Sequence, residues 1–193
     1  MTRSRAVVLV VVLAALVAAA LYGLKGGAAP KRVAQDLAPL QRQAALEPCP
    51  SGLSPALPDL TLPCLGGGPA VRLRGAPART PVLVNVYGSW CGPCLAEMPL
   101  LRQFHELAGA RVPLVGVDTE DDPRQALHFA LDVRQHWPAL VDDDGLVSRH
   151  YGGGAPKTLF LDAKGSVVHV TRKAYTSVAQ LRADVQHYLG VRV

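Results

Sequence analysis

The chain has 193 residues, of which 49% are hydrophobic and 18% are charged, a composition that suits one globular domain with an appendage. Its formal charge of +5 comes from residues 1–32, which hold five basic residues and no acidic ones, because the remaining 15 basic residues balance all 15 acidic residues. Beyond residue 32 the chain is near neutral and has no basic stripe with interleaved aromatic residues, so we expect no nucleic-acid partner.

Residues 1–24 form a candidate membrane segment, because Ala6 to Leu24 are almost wholly apolar. A helix of that length spans roughly 28 Å, about one hydrocarbon core. Two interpretations stay open: an uncleaved transmembrane anchor, and a signal peptide cleaved near Ala18–Ala20. We favour the anchor because the apolar run exceeds the usual signal core. Four cysteines suit an oxidising compartment, so we expect the folded domain to be membrane-anchored and extracytoplasmic.

Residues 25–57 are predicted to be a linker and a stapled N-terminal extension. Gln35–Leu46 could form a short amphipathic helix. Further on, Cys49 and Cys64 enclose a stretch rich in Pro, Gly and Ser that cannot hold itself together by packing. We predict a structural disulfide between them, worth ~3 kcal/mol in the chain-entropy model, with free thiols as the alternative.

Residues 58–193 carry the pattern of an α/β domain. Buried strands alternate with amphipathic helices, and a β-hairpin and a last helix follow, which predicts a mixed sheet with helices on both faces. The predicted strands are 70–73, 82–87, 112–117, 138–141, 157–162 and 166–171, and the predicted helices run to about Gly109, from Pro123 to about Val133, and over 177–189.

The stretch Gly88–Leu95 carries the chemistry of this domain. It lies between the strand Val82–Tyr87 and a helix, and it contains Cys91-Gly92-Pro93-Cys94. A cysteine at a helix N-terminus is favoured as a thiolate, and a second cysteine one turn later is close enough for a short disulfide. The spacing therefore predicts a redox-active pair rather than a purely structural bridge.

No metal site is predicted. Zinc at the Cys-x-x-Cys would need two more ligands, and neither a second such motif nor a closely spaced His pair is present. Asp142–Asp144 place three carboxylates side by side, but the ligand spacing and later Glu of a calcium loop are missing, so we expect a solvated turn up to Gly145.

The order strand, Trp-Cys-Gly-Pro-Cys, helix, then Ala-Pro before a hairpin and a final helix resembles the thioredoxin fold. It is most similar to the TlpA/ResA-like membrane-anchored thiol–disulfide oxidoreductases, which include the CcmG/DsbE-like proteins. The resemblance rests on residues 85–94, 97–99, 154–162 and Gly165, and 123–141 resembles the extra helix and strand of that group.

This resemblance implies roles for the site residues. Cys91 would be the nucleophile and Cys94 the resolving thiol. Pro156 would be a cis-proline that lies against the disulfide, the alternative being a trans loop proline. Trp90, Ala155 and Pro156 would contact the substrate.

Two polar residues near the cysteines are informative in this comparison. The first differs from cytoplasmic thioredoxins, and the second is similar to the TlpA/ResA group. Asn85 stands where thioredoxins place a buried Asp, and it cannot titrate. Glu97 stands one helical turn after Cys94 and could exchange a proton with it, as the resemblance implies. The alternative is a carboxylate on the helix surface.

The function implied is an extracytoplasmic thiol–disulfide oxidoreductase without a cofactor that reduces protein disulfides, with apocytochrome c as first substrate choice. General extracytoplasmic disulfide reduction or isomerisation is the second choice. A membrane electron donor of the CcdA/DsbD type would supply reducing equivalents.

Two other functions are disfavoured. A peroxidase is disfavoured because Val84 and Gly88 replace the expected Pro and Thr. A copper metallochaperone is disfavoured because two residues, not three, separate the cysteines.

Overall fold

The computed structural model describes residues 36–76 and 79–193. Leu37–Val193 forms one compact unit. The predicted membrane segment, residues 1–24, lies outside the described residues. Within the described part, no helix has both the length and the apolar character needed to span a bilayer.

Five strands of the described chain form one mixed sheet in the order β5 (Ala139–Asp142), β4 (Leu114–Thr119), β3 (Val82–Tyr87), β6 (Lys157–Leu161) and β7 (Val167–Thr171). Strand β3 is parallel to β4 and antiparallel to β6, which confirms the predicted α/β fold with a mixed central sheet. A short 3₁₀ helix follows α2, and β1 and β2 form a separate antiparallel pair. The elements are α1 (Ala38–Ala44), β1 (Thr61–Leu62), β2 (Val71–Arg72), β3 (Val82–Tyr87), α2 (Gly92–Ala108), the 3₁₀ helix (Gly109–Arg111), β4 (Leu114–Thr119), α3 (Pro123–Asp132), β5 (Ala139–Asp142), α4 (Leu146–His150), β6 (Lys157–Leu161), β7 (Val167–Thr171) and α5 (Val178–Leu189).

The hydrophobic core lies on both faces of the sheet, because successive side chains of a strand alternate between faces. Leu83 and Tyr87 lie on one face and pack with helices α1, α2, α3 and α5. Val84 and Val86 lie on the opposite face and belong to a second cluster of buried apolar residues. That second face is covered by the single turn of α4 and by chain between Leu53 and Leu73. Helices therefore cover both faces, but very unequally.

Residues 63–65 lie along the edge strand β5, and a disulfide links them to the N-terminal extension. Cys49 and Cys64 form a disulfide with a Cα–Cα distance of 6.0 Å. The backbone N–H of Leu65 donates to Ala139 at 2.8 Å, and Val141 donates to Pro63 at 2.9 Å. Residues 63–65 thus continue the hydrogen bonding of the sheet past β5.

The prediction of a solvated turn at Asp142–Gly145 is wrong for Asp142, which is buried. Its carboxylate accepts hydrogen bonds from the backbone N–H groups of Leu146 and Val147, at 2.8 and 3.1 Å, and from the hydroxyl of Thr119 at 3.0 Å. Asp142 therefore holds the start of α4, a helix that the sequence pattern did not predict.

Candidate active site

The Cys91–Cys94 pair forms a disulfide at the start of α2, with an S–S distance of 2.04 Å. Cys91 is the N-cap residue, and its sulfur accepts a hydrogen bond from the backbone N–H of Cys94 at 3.2 Å. Cys91 is 4% exposed and Cys94 is fully buried, so Cys91 is the more accessible residue of the pair. The unpaired N–H groups and the helix dipole at this position favour a negative charge on sulfur.

The loop before the cysteines is held by the end of β4. The indole N–H of Trp90 donates to the carbonyl of Thr119 at 3.1 Å, and the backbone N–H of Ser89 donates to Asp121. A Cβ on Gly88 would lie 2.5 Å from the Trp90 ring nitrogen, so only glycine lets the ring pack this closely. Trp90 nevertheless stays 51% exposed and forms an apolar rim beside the disulfide.

The Ala155–Pro156 bond is cis and lies immediately before β6. Because Val86 of β3 pairs with Lys157 of β6, the Ala-Pro bond and the cysteine loop leave the sheet at the same end. Pro156 is buried, and the half-buried Ala155 packs against the cluster that contains both cysteines. This places the Ala155–Pro156 backbone at the same end of the sheet as the disulfide.

Glu97 is fully buried, so the alternative of a helix-surface carboxylate is wrong. Its carboxylate accepts hydrogen bonds from the backbone N–H of Tyr175 at 2.9 Å and from the side-chain amide of Asn85 at 3.3 Å. Burial raises the pKa of Glu97, while these two hydrogen bonds act against the rise. A buried carboxyl with a raised pKa is suited to exchanging a proton.

The carboxyl of Asp118 in β4 is also buried, and the sequence did not predict this. Neither of its oxygens has a hydrogen-bond partner among the described residues. Burial, together with the negative charge of Asp121, raises the pKa of Asp118 to about 9. The predicted strand ends at Val117, two residues short of the observed end at Thr119, so the prediction leaves Asp118 outside the strand. The sequence signal that could have drawn attention to Asp118 is its position as a charged residue at the end of an apolar run.

The candidate residues separate into two groups in the fold. The cysteine pair, Trp90, Glu97 and the Ala155–Pro156 bond come together at one end of β3. The second disulfide lies instead on β5, with β4 between it and β3. Across 36–76 and 79–193, no cluster of three or more His, Cys, Asp or Glu side chains could hold a metal ion.

Comparison with known proteins connects this site to a family. A family model described as Redoxin matches residues 54–185. Thiol:disulfide interchange protein DsbE of Pseudomonas fluorescens biotype C is 35% identical over 126 residues, which cover 63% of this chain and 65% of that protein. A DsbE homolog of Paracoccus denitrificans is 34% identical over 133 residues, which cover 64% of this chain and 69% of the homolog. The match thus spans just under two thirds of the first relative's length.

A solved structure has a similar fold. It is a secreted Mycobacterium tuberculosis disulfide oxidoreductase described as homologous to Escherichia coli DsbE, with a TM-score of 0.59 and 23% sequence identity. The superposition covers 67% of this chain and 96% of that one. At this level of identity the likeness concerns the arrangement of helices and strands alone.

Proposed function

Because this chain belongs to the Redoxin family and is similar to DsbE thiol:disulfide interchange proteins, we propose that it is a thiol–disulfide oxidoreductase that acts through Cys91 and Cys94. The observation that carries the proposal is the disulfide at the N-terminus of α2 beside the Ala155–Pro156 bond. A helix N-terminus stabilises the thiolate needed for exchange.

The reaction would start from the reduced pair. The Cys91 thiolate attacks one sulfur of a substrate disulfide, forms a mixed disulfide and releases the other substrate sulfur as a thiolate. The Cys94 thiolate then attacks Cys91, releases the second substrate sulfur and closes the Cys91–Cys94 disulfide. The substrate gains two electrons and two protons, and the enzyme pair loses them. The greater exposure of Cys91 supports its role as the attacking sulfur.

Glu97 would take the proton that Cys94 must lose before the second step. It stands on α2 one turn beyond Cys94 and is buried, and its pKa is raised by that burial. Asn85 cannot accept a proton itself, but its amide hydrogen bond keeps the Glu97 carboxylate in place. Glu97 is therefore the nearest acid along the helix suited to this exchange.

The substrate chain would lie extended against the Ala155–Pro156 backbone, next to Trp90. Proline has no N–H, so Pro156 cannot donate to an incoming strand, and the substrate would pair with the backbone of Ala155 instead. The half-exposed indole offers an apolar contact at the same place. A protein disulfide in an extended segment fits this arrangement.

We further propose that the domain works outside the cytoplasm, tethered by residues 1–24, and acts as a reductant. The Gly-Pro pair between the cysteines resembles that of reducing thioredoxins, and a membrane electron donor of the CcdA/DsbD type would re-reduce it. The first substrate choice is the haem-site cysteine pair of apocytochrome c, and general extracytoplasmic disulfides are the second. A deletion strain that keeps normal c-type cytochrome content would reject the first choice.

The activity itself is tested by insulin reduction with dithiothreitol as electron source. The wild-type chain should accelerate the precipitation of insulin chains, whereas the Cys91→Ser/Cys94→Ser variant should match the reagent alone. Equal rates for the two proteins would reject the oxidoreductase proposal. Titration with Cu(I) in parallel separates it from copper delivery, since tight binding without insulin reduction would indicate a metallochaperone.

A further inference from the structure

Lys157 is a lysine with a nearly inaccessible side chain at the start of β6. It follows Pro156 directly and is only 1% exposed. Its ammonium group donates hydrogen bonds to the carbonyls of Gly153 and Gly154, and it lies 3.4 Å from the hydroxyl oxygen of Ser148. A buried cation is costly unless its donors are satisfied, so these acceptors form a built site for it.

The loop that accepts hydrogen bonds from this ammonium group, residues 152–154, is called the glycine loop below. Its backbone conformation explains why it consists of glycines. Gly152, Gly153 and Gly154 have φ values of +93°, +71° and +75°. A Cβ on Gly153 or Gly154 would meet nothing within 4 Å, so lack of space does not explain glycine there. The left-handed backbone conformation explains glycine there, because other residues adopt this conformation only at an energetic cost. In this conformation two successive carbonyls accept hydrogen bonds from one ammonium group.

Ser148 of α4 fixes the loop from a second direction. Its hydroxyl donates to the carbonyl of Gly154 at 2.9 Å, and its own carbonyl accepts from the N–H of Gly153 at 2.9 Å. Ser148 is fully buried. The loop is therefore held by a closed set of hydrogen bonds between α4, the glycines and Lys157.

The backbone of Lys157 reaches the other side of the site. Its carbonyl accepts from the Asn85 amide at 3.4 Å, and the same amide donates to Glu97 at 3.3 Å. Lys157 thus contacts the glycine loop through its side chain and the Glu97 network through its main chain. The Ala155–Pro156 bond lies between these two attachments.

We propose that Lys157 is a positioning residue whose buried ammonium fixes the glycine loop and, through it, the Ala155–Pro156 backbone on which a peptide disulfide substrate pairs. This inference rests on the proposed oxidoreductase function and adds a residue that governs protein substrates specifically. A small disulfide that makes no backbone pairing does not use the fixed segment. Loss of the ammonium should therefore affect peptide substrates and spare small ones.

The test compares Lys157→Met with Lys164→Met in the full-length chain. Methionine keeps an unbranched stem but removes the ammonium, and Lys164 is an exposed lysine whose loss controls for charge. Reduction of a disulfide-bonded peptide and of dithiobis(nitrobenzoate) is followed for each. In Lys157→Met we expect kcat/KM for the peptide to fall about tenfold or more, mainly through KM, as for a lost hydrogen bond to a charge. The rate with the small disulfide should stay within about twofold.

Each outcome decides between the two proposals. Equal losses on both substrates, or no loss on either, would overturn the positioning role while leaving the activity established. Failure of the wild-type chain on both substrates would instead overturn the proposed function. If circular dichroism shows that Lys157→Met does not fold, Ser148→Ala decides. In Ser148→Ala, a smaller fall in kcat/KM that is confined to the peptide substrate supports the role of the loop. An unchanged ratio of the peptide rate to the small-disulfide rate contradicts it.

Discussion

Replacing Asp118 by Asn should stabilise the protein at neutral pH and flatten the dependence of its stability on pH. In the folded chain both oxygens of Asp118 are buried and lack a hydrogen-bond partner among the described residues. Burial raises the pKa of this carboxyl from its ordinary value of 3.8 to about 9. At pH 7 the unfolded chain has lost the proton that the folded chain carries, so folding has to take one up.

The size of this effect follows from the two pKa values. Each pH unit between them costs about 1.4 kcal/mol of stability. At pH 7 the penalty is therefore about 4 kcal/mol as an upper bound. Because the folded-state pKa is raised for an acid, the free energy of unfolding of the wild-type chain should fall as pH rises from about 4 to about 9, and then level off. Asn has nearly the same shape and does not titrate.

Urea unfolding at pH 5, 7 and 9, with both disulfides intact, measures this directly. Glu97 also has a raised pKa and adds a slope of the same sign, so the difference between variant and wild type isolates Asp118. The control is Asp132→Asn, an exposed change at the end of α3 that should leave the slope unaltered. Parallel pH profiles for Asp118→Asn and the wild type would refute the assigned protonation.

Four further variants test the cysteines and Glu97. Cys49→Ser with Cys64→Ser should lower the free energy of unfolding by about 2–4 kcal/mol in urea, because a closed loop of this length is lost, and should leave insulin reduction intact. A large loss of activity would mean that this disulfide takes part in the reaction. Cys94→Ser should accumulate mixed disulfides on non-reducing gels and Cys91→Ser should not, since only the former keeps its attacking thiolate. Equal trapping by both variants would mean that the assigned order of attack is wrong. Glu97→Gln should shift chiefly the titration of Cys94, followed by alkylation rate against pH, and an unchanged titration would remove Glu97 from proton transfer.

Much of the sheet and helix order could be predicted because its signals are local. The run Val82–Tyr87 is apolar except for Asn85, and the observed strand has the same bounds. Asp122 before Pro123 marked a helix start, and its carboxylate does accept from the N–H of Arg124 at 2.9 Å. Helix α4 gave no such signal, since it spans only five residues and depends on the buried carboxylate of Asp142.

The site could be predicted in part for a similar reason. The Cys-x-x-Cys motif is local, so its position at a strand-to-helix turn followed from the sequence. The burial of Glu97 did not, because its partner Tyr175 is 78 residues away along the chain. Likewise, the glycine loop and Lys157 are close in sequence, but the sequence did not predict that the hydroxyl of Ser148 would contact the Lys157 ammonium group. Long-range packing, not local pattern, decides which polar groups are buried.

The segment fastened along β5 also affects how the sheet meets other molecules. An open strand edge offers unpaired N–H and C=O groups to any other chain and invites aggregation. All four residues of β5 are buried, and Pro63 and Leu65 occupy backbone positions along it. We therefore expect the solubility of the protein to depend on the Cys49–Cys64 disulfide that holds this segment. A chain whose Cys49–Cys64 bond is reduced would be prone to expose an apolar strand edge and to self-associate there.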